Sequence, residues 1–216
     1  MIPKLAFGFA QEIQQTLNRT ICQDVRIRAV QRRVESVPVF TVGSGLNRQN
    51  LTKPLGFPVR IDQKAPRIWM NLSYQVRLDS AQRYLTVHKS YFGIFSDESL
   101  ETCLCHFDFE RDKQKYTGAH VQVHGKSAAL DALNRVGDEK RPLDKLHFPV
   151  GGKRFRPCLE DVIEFLVDER LADGRAGWRQ LVSEGRERFH RNQLRAAMRR
   201  NTAVVEEFMR EHDSQD

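Results

Sequence analysis

Four successive runs between Ile68 and His124 alternate apolar with polar residues, and a period of two sustained over that length commits the middle of the chain to antiparallel sheet. In the first run Ile68, Met70, Leu72, Tyr74, Val76 and Leu78 alternate with Trp69, Asn71, Ser73, Gln75 and Arg77, between Pro66 and the turn-like Asp79 to Gln82. The second, Tyr84 to Phe95, is aromatic and β-branched, with His88 on the side of Thr86 and Ser90. Phe92, Ile94 and Phe95 at its end predict a bulge or burial on both faces. Asp97 to Glu101 turns the chain into the third run, Cys103 to Glu110, and a polar bend, Lys113 to Thr117, leads into the fourth. The pattern is that of a meander.

The last two runs concentrate the chemistry. Cys103, Cys105, Phe107 and Phe109 share one face of the third, and His106, Asp108 and Glu110 the other; in the fourth, Val121 and Val123 oppose His120, Gln122 and His124. With the register centred on the bend, His106 falls opposite His124, Asp108 opposite Gln122, and Glu110 opposite His120. Cross-strand partners are about 5 Å apart, so three imidazoles and two carboxylates come within mutual reach on an open face. A half-solvated sheet has a polar outer face with or without chemistry. Three histidines on one small patch are less ordinary.

Two kinds of chemistry fit such a patch. His120 and His124 mimic the His-x-x-x-His of helical zinc sites, but on a strand they lie about 13 Å apart and cannot grip one ion. A metal would need His106 with His124, or His120 with Glu110, plus a third ligand such as His88 or His147, a pattern that matches no specific closed template. The expectation is therefore no metal and no cofactor. Proton transfer asks for less, because imidazole titrates near neutrality. His106, His120 and His124 are the acid-base candidates, with Asp108 and Glu110 orienting them.

The 216 residues are enough for a core without disulfides, and 40% hydrophobic with 29% charged residues is a globular balance. No run reaches the apolar length of a membrane span. Met1 to Gln15 mixes Lys4, Gln11 and Glu12 into its apolar residues, without the apolar stretch of a signal peptide. A cytoplasmic protein with no membrane partner is expected. Cys22, Cys103, Cys105 and Cys158 have no Cys-x-x-Cys spacing and read as reduced core residues.

Around the meander, Leu5, Phe9, Ile13 and Leu17 predict a helix over Lys4 to Arg19 that docks on the sheet. Asp24 to Gly43 predicts one or two strands broken near Pro38. Gly43 to Pro66 reads as an irregular connector in which Leu55 to Ile61 pairs briefly. Glu160 and Asp161 open a helix over Cys158 to Leu171 that Gly174 and Gly177 stop, followed by helices over Trp178 to Arg200 and Thr202 to His212. The fold expected is α+β: an antiparallel sheet of four or more strands with an N-terminal helix and a C-terminal helical extension. It divides into a sheet core over 1–157 and helices over 158–216.

The net charge of +7 favours polyanions, RNA or DNA, or an acidic protein partner. Six arginines stand between Arg186 and Arg200 against the single acid Glu187. Arg188, Arg191, Arg195 and Arg199 follow helical spacing and line one face able to track a phosphate backbone, with Trp178, Leu181, Val182 and Phe189 on the opposite, core side. Lys153, Arg154 and Arg156 beside Phe155 offer phosphate contacts and a stacking ring. Gly151-Gly152-Lys153 lacks the spacing of a nucleotide-binding loop and reads as a tight turn.

The order of a Phe107-Asp108 strand, a segment bearing His120 and His124, and a helix opened by Leu159-Glu160-Asp161-Val162 resembles small bacterial toxin proteins of the TumE type. The resemblance covers about half of the chain and implies a toxin of a toxin–antitoxin system with an antitoxin partner. The leading expectation is a bacterial nucleic-acid-directed protein, a metal-independent, ribonuclease-like toxin or defence component. The alternative is a non-catalytic adaptor subunit that binds nucleic acid or an acidic partner through the arginine-rich helix.

Overall fold

The computed structural model describes residues 2–32, 38–114, 118–128, 143–152 and 155–213. Helix α1 (Ile2–Thr20) leads into strands β1 (Ile27–Arg32) and β2 (Val39–Ser44), short β3 (Phe57–Val59), and the long β4 (Ile68–Leu78) and β5 (Leu85–Phe95). Then come β6 (Cys103–Glu110), β7 (Ala119–Val123), a 3-10 turn at Leu143–Lys145, and β8 (Phe148–Pro149). Helices α2 (Leu159–Asp168), α3 (Trp178–Met198) and α4 (Thr202–Asp213) close the described chain. This is the α+β architecture that the alternation predicted. Among the described residues no helix is long and apolar enough to cross a membrane.

Every strand pairing is antiparallel, in the order β1-β2-β4-β5-β6-β7-β8, with β3 beside β2 along the same edge of β4. Alternation in β4 buries Ile68, Met70, Leu72, Tyr74 and Val76 on one face, and the register carries that face through Phe92 and Ile94 of β5 to Cys105, Phe107 and Phe109 of β6. Both α1 and α2 lie on it. Their buried residues, Ala6, Ala10, Ile13 and Leu17 from α1 and Leu159, Val162, Ile163 and Leu166 from α2, join the sheet and Val182 of α3 in one hydrophobic core. Helices from beyond residue 158 thus share the core of the sheet.

Two local expectations are corrected. The stripe that α1 buries runs through Ala6 and Ala10 instead of Leu5, which is exposed; two methyl side chains let the helix sit close to the sheet. Asn18 then ties its end down, donating to the Val25 carbonyl and accepting the Val25 N–H, both at 2.9 Å. Helix α2 ends at Asp168, before either glycine, where Arg170 takes a left-handed φ of 59°. At its start the Asp161 carboxylate accepts the Cys158 backbone N–H at 2.8 Å, closing a capping box.

The outer face of the sheet is only partly open. Over β2 and β4 it is covered by the connector, where Asn71 donates to the Pro54 carbonyl at 3.0 Å and Leu46 is buried. Over β7 it is covered by the segment around Leu143–Lys145, where the Gln122 amide donates to the Asp144 carbonyl. His106 and His124 lie on the half-exposed ground near that cover.

A row of imidazoles on the outer face of the sheet

The β6–β7 hairpin forms, but its register lies two residues from the one predicted. His106 opposes Gln122 and Asp108 opposes His120, so neither His106 and His124 nor Asp108 and Gln122 are direct partners. A shift of two leaves every side chain on its expected face, because side chains on a strand repeat with period two. The cluster therefore survives the error. His124 reaches His106 along the diagonal, and Nδ1 of His106 shares a hydrogen bond of 3.1 Å with Nε2 of His124.

The row is longer than the sequence indicated. Ring centroids of His124 and His106 are 5.3 Å apart, those of His106 and His120 6.2 Å, and those of His120 and His147 4.5 Å. The segment before β8 brings in His147. Tyr91 flanks His106 with its ring 5.4 Å away, and Asp108 lies opposite both Tyr91 and His120. His120 is only 3% exposed and Gln122 8%, so this end of the face is closed over rather than open as expected. His106, His124 and His147 are half-buried.

Burial, followed by the neighbouring His124, pushes the His106 imidazole down to about 4. His106 is neutral at pH 7 and keeps a lone pair. Tyr91, half-buried, is pushed well above its ordinary value by desolvation and holds its proton.

Glu110 does not belong to the row. Its partner across the sheet is Lys89 of β5, whose ammonium donates to it at 2.6 Å and holds its carboxyl below the usual range, and the β6–β7 pairing ends before it. His88 is also elsewhere: it is the extra residue of a bulge where Gln75 pairs with Lys89 and Val76 with Val87, and its Nδ1 lies 3.3 Å from the Asp112 carboxylate.

A second bulge changes the chemistry. Ile94 pairs with Cys105 and Phe95 with Cys103, which leaves Leu104 as the extra residue of β6. Leu104 and Cys105 both pack against the core, and Cys103 rotates to the face of Phe95 and Gly93, the imidazole face. The sequence placed Cys103 on the face of Cys105. Potential ligand atoms of Cys103, His106 and His124 consequently all lie within 4.8 Å of one another.

The basic candidates divide. Lys153 and Arg154 lie outside the described residues. Gly151 and Gly152 have φ of 42° and 63° in the expected tight turn, and a side chain at Gly151 would run into the Phe155 carbonyl. Past the turn the expected polarity is inverted: Phe155 is 52% exposed, whereas Arg156 is 6% exposed with its guanidinium 4.0 Å from the Phe109 ring centroid and 5.3 Å from that of Phe189. Burial lowers the Arg156 guanidinium to about 10. Arg156 is an internal strut between β6 and α3, removed from any surface phosphate. Arg188, Arg191, Arg195 and Arg199 are exposed as predicted, with Arg199 stacked 4.5 Å over Tyr84. They stand on the helical side of the sheet, and the imidazoles on the other.

Two shallow clefts lie away from the row, one between α1 and α3 beside Glu12, Arg19 and Arg188, the other beside Arg67 and Asp173. Comparison with protein-family models, with curated proteins and with solved structures finds no match to this chain.

Proposed function

We propose that the chain is a nucleic-acid-directed protein of bacterial toxin or defence type that cleaves RNA at the imidazole row. The observation that carries this reading is the convergence of His124, His106, His120 and His147 on one sheet face, with Asp108 opposite His120. In RNA cleavage a base takes the 2′-hydroxyl proton, the 2′-oxygen bonds to the adjacent phosphorus, and the 5′-oxygen leaves with a proton from an acid. His106, neutral and supported by His124, suits the first step. His120 with His147 suits the last, Asp108 serving as the acceptor that orients a ring. Exposed Lys126 and Lys145, each two residues from a histidine of the row, supply positive charge.

The test is cleavage of a short RNA by chelator-treated protein, with DNA of the same sequence as control. Cleavage is expected for RNA alone, and His106→Ala or His120→Ala is expected to lower the rate by roughly 10²- to 10⁴-fold. Absence of cleavage, or an unchanged rate in both variants, rejects the enzyme.

A second reading has its own observation. Arg188, Arg191 and Arg195 are exposed on α3, and Leu194, Met198, Val204, Phe208 and Met209 are exposed on α3 and α4 close by in sequence. That mixture suits an adaptor that docks an acidic partner protein on the helical side, away from the imidazoles. For such a non-catalytic adaptor no RNA cleavage is expected, and Arg191→Glu with Arg195→Glu abolishes association with the partner; association that survives the double change rejects this reading.

A further inference from the structure

We propose that Cys103, His106 and His124 form a binding site for one divalent transition-metal ion of the zinc type. The pairing of the strands brings these three donors together. The Leu104 bulge turns Cys103 onto the imidazole face, and the diagonal across β6 and β7 sets His106 Nδ1 against His124 Nε2 at 3.1 Å, with all three potential ligand atoms within 4.8 Å of one another.

The dimensions suit tetrahedral coordination. With metal–nitrogen bonds near 2.0–2.1 Å and a metal–sulfur bond near 2.3 Å, two imidazole nitrogens on one ion stand about 3.3 Å apart and each about 3.6 Å from the sulfur. The imidazole pair is already at that spacing. Closing the thiol onto it takes a shift of at most about 1.2 Å, available to a half-buried side chain through its χ1 torsion. One thiolate and two imidazoles are a borderline-soft donor set, which selects zinc, cobalt or copper over magnesium and calcium. Three protein ligands leave a fourth position for water or another small donor, the arrangement of sites that keep one position open.

The surroundings are ordered for the purpose. Cys103 opposes Phe95, and His106 opposes Gly93, where an added Cβ would stand 2.5 Å from the Tyr91 hydroxyl and 2.6 Å from the Phe95 ring. Gly93 therefore leaves room for two aromatic rings that wall the donors on one side and restrict their rotamers. Cys105, although nearer to His106 in sequence, is on the core side and cannot contribute. Metal binding here is independent of whether RNA is the substrate. A bound ion would use the lone pairs of His106 and His124, so it excludes proton transfer at that pair.

The experiment is a titration of untagged, chelator-treated protein with Co²⁺ followed by Zn²⁺, with no RNA present, read by optical absorption. One equivalent of Co²⁺ is expected to produce a thiolate-to-cobalt charge-transfer band that one equivalent of Zn²⁺ removes. Cys103→Ser is expected to abolish the band and Cys105→Ser to keep it. His106→Gln or His124→Gln is expected to weaken binding by more than the roughly 10- to 100-fold that loss of an outer-sphere partner costs. On the wild-type protein, one equivalent of Zn²⁺ is expected to slow alkylation of Cys103, mapped by mass spectrometry, and to leave Cys105 unchanged. No band at one equivalent, a band that survives Cys103→Ser, or alkylation of Cys103 that ignores Zn²⁺ overturns the site. RNA cleavage in chelator is scored separately, so failure of one proposal is distinguishable from failure of the other.

Discussion

His106 and His124 share a 3.1 Å hydrogen bond although the strands pair His106 with Gln122, so the contact that joins the two imidazoles runs diagonally across the hairpin. A diagonal contact depends on the twist of the pair and on ring orientation more than on backbone hydrogen bonding. The two rings form one hydrogen-bonded unit, a ring N–H of one donating to the bare nitrogen of the other.

That unit makes stability depend on pH. The folded value of His106, about 4, lies below the ordinary 6.5, so between those limits the unfolded chain binds the proton and the folded chain does not. The contribution is complete above about pH 6.5 and is lost as the pH falls toward 4. The loss is expected to be on the order of 1 kcal/mol, since the half-exposed ring is screened by solvent. Urea midpoints across that range measure it, and His106→Gln should flatten the slope; an equal slope in the variant contradicts the assignment.

Gly93→Ala puts a methyl group into the space of the Tyr91 hydroxyl and the Phe95 ring. A destabilisation of about 1–3 kcal/mol is expected from overpacking, together with changed nuclear magnetic resonance signals of the His106 ring opposite. Thermal denaturation and the imidazole spectrum report the two effects.

Arg156→Ala removes a guanidinium packed between Phe109 and Phe189. A loss of about 2 kcal/mol or more is expected, from the desolvated cation–π contacts and the packing of the stem. At a temperature where the variant is folded, its affinity for RNA should equal that of the wild type. A specific loss of affinity without destabilisation would return Arg156 to the surface role that its neighbours in sequence suggested.

Asp161 performs two tasks, accepting the Cys158 N–H at 2.8 Å through one oxygen and the Arg186 guanidinium at 2.7 Å through the other. Asp161→Ala uncaps α2 and removes one of the two carboxylates that hold Arg186 of α3, Glu164 being the other, and a cost of about 2 kcal/mol is expected. Asp161→Asn, which keeps an acceptor for the cap, should cost less; both are read from denaturant midpoints.

Alternation alone made the sheet, its meander order and the facing of His106, Asp108, His120 and His124 legible, because strand period two is a purely local property. What it did not carry were the offsets. The hairpin centre depends on backbone angles in the bend, and a slip of two residues is invisible to a pattern of period two. The Leu104 bulge was equally hidden, since Cys103-Leu104-Cys105 continues the alternation by eye. The consecutive apolar residues at the end of β5 did signal an irregularity there, although the extra residue is in β6. His147 was reachable only as one of several spare histidines, because a turn of unknown path separates it from β7. Arg156 was misread for a chemical reason: its flat guanidinium and apolar stem pack between Phe109 and Phe189, which offsets part of the cost of burying the charge, so polarity alone did not rank Phe155 and Arg156 correctly.

Strand β8 has two residues, and the one opposite His120 is Pro149, which has no N–H to offer an incoming strand. The border of the sheet nearest the imidazoles is thereby blunted against edge-to-edge aggregation. A macromolecule that visits this border meets one backbone donor fewer, which shifts recognition toward side chains and lets point substitutions retune selectivity without altering the backbone scaffold.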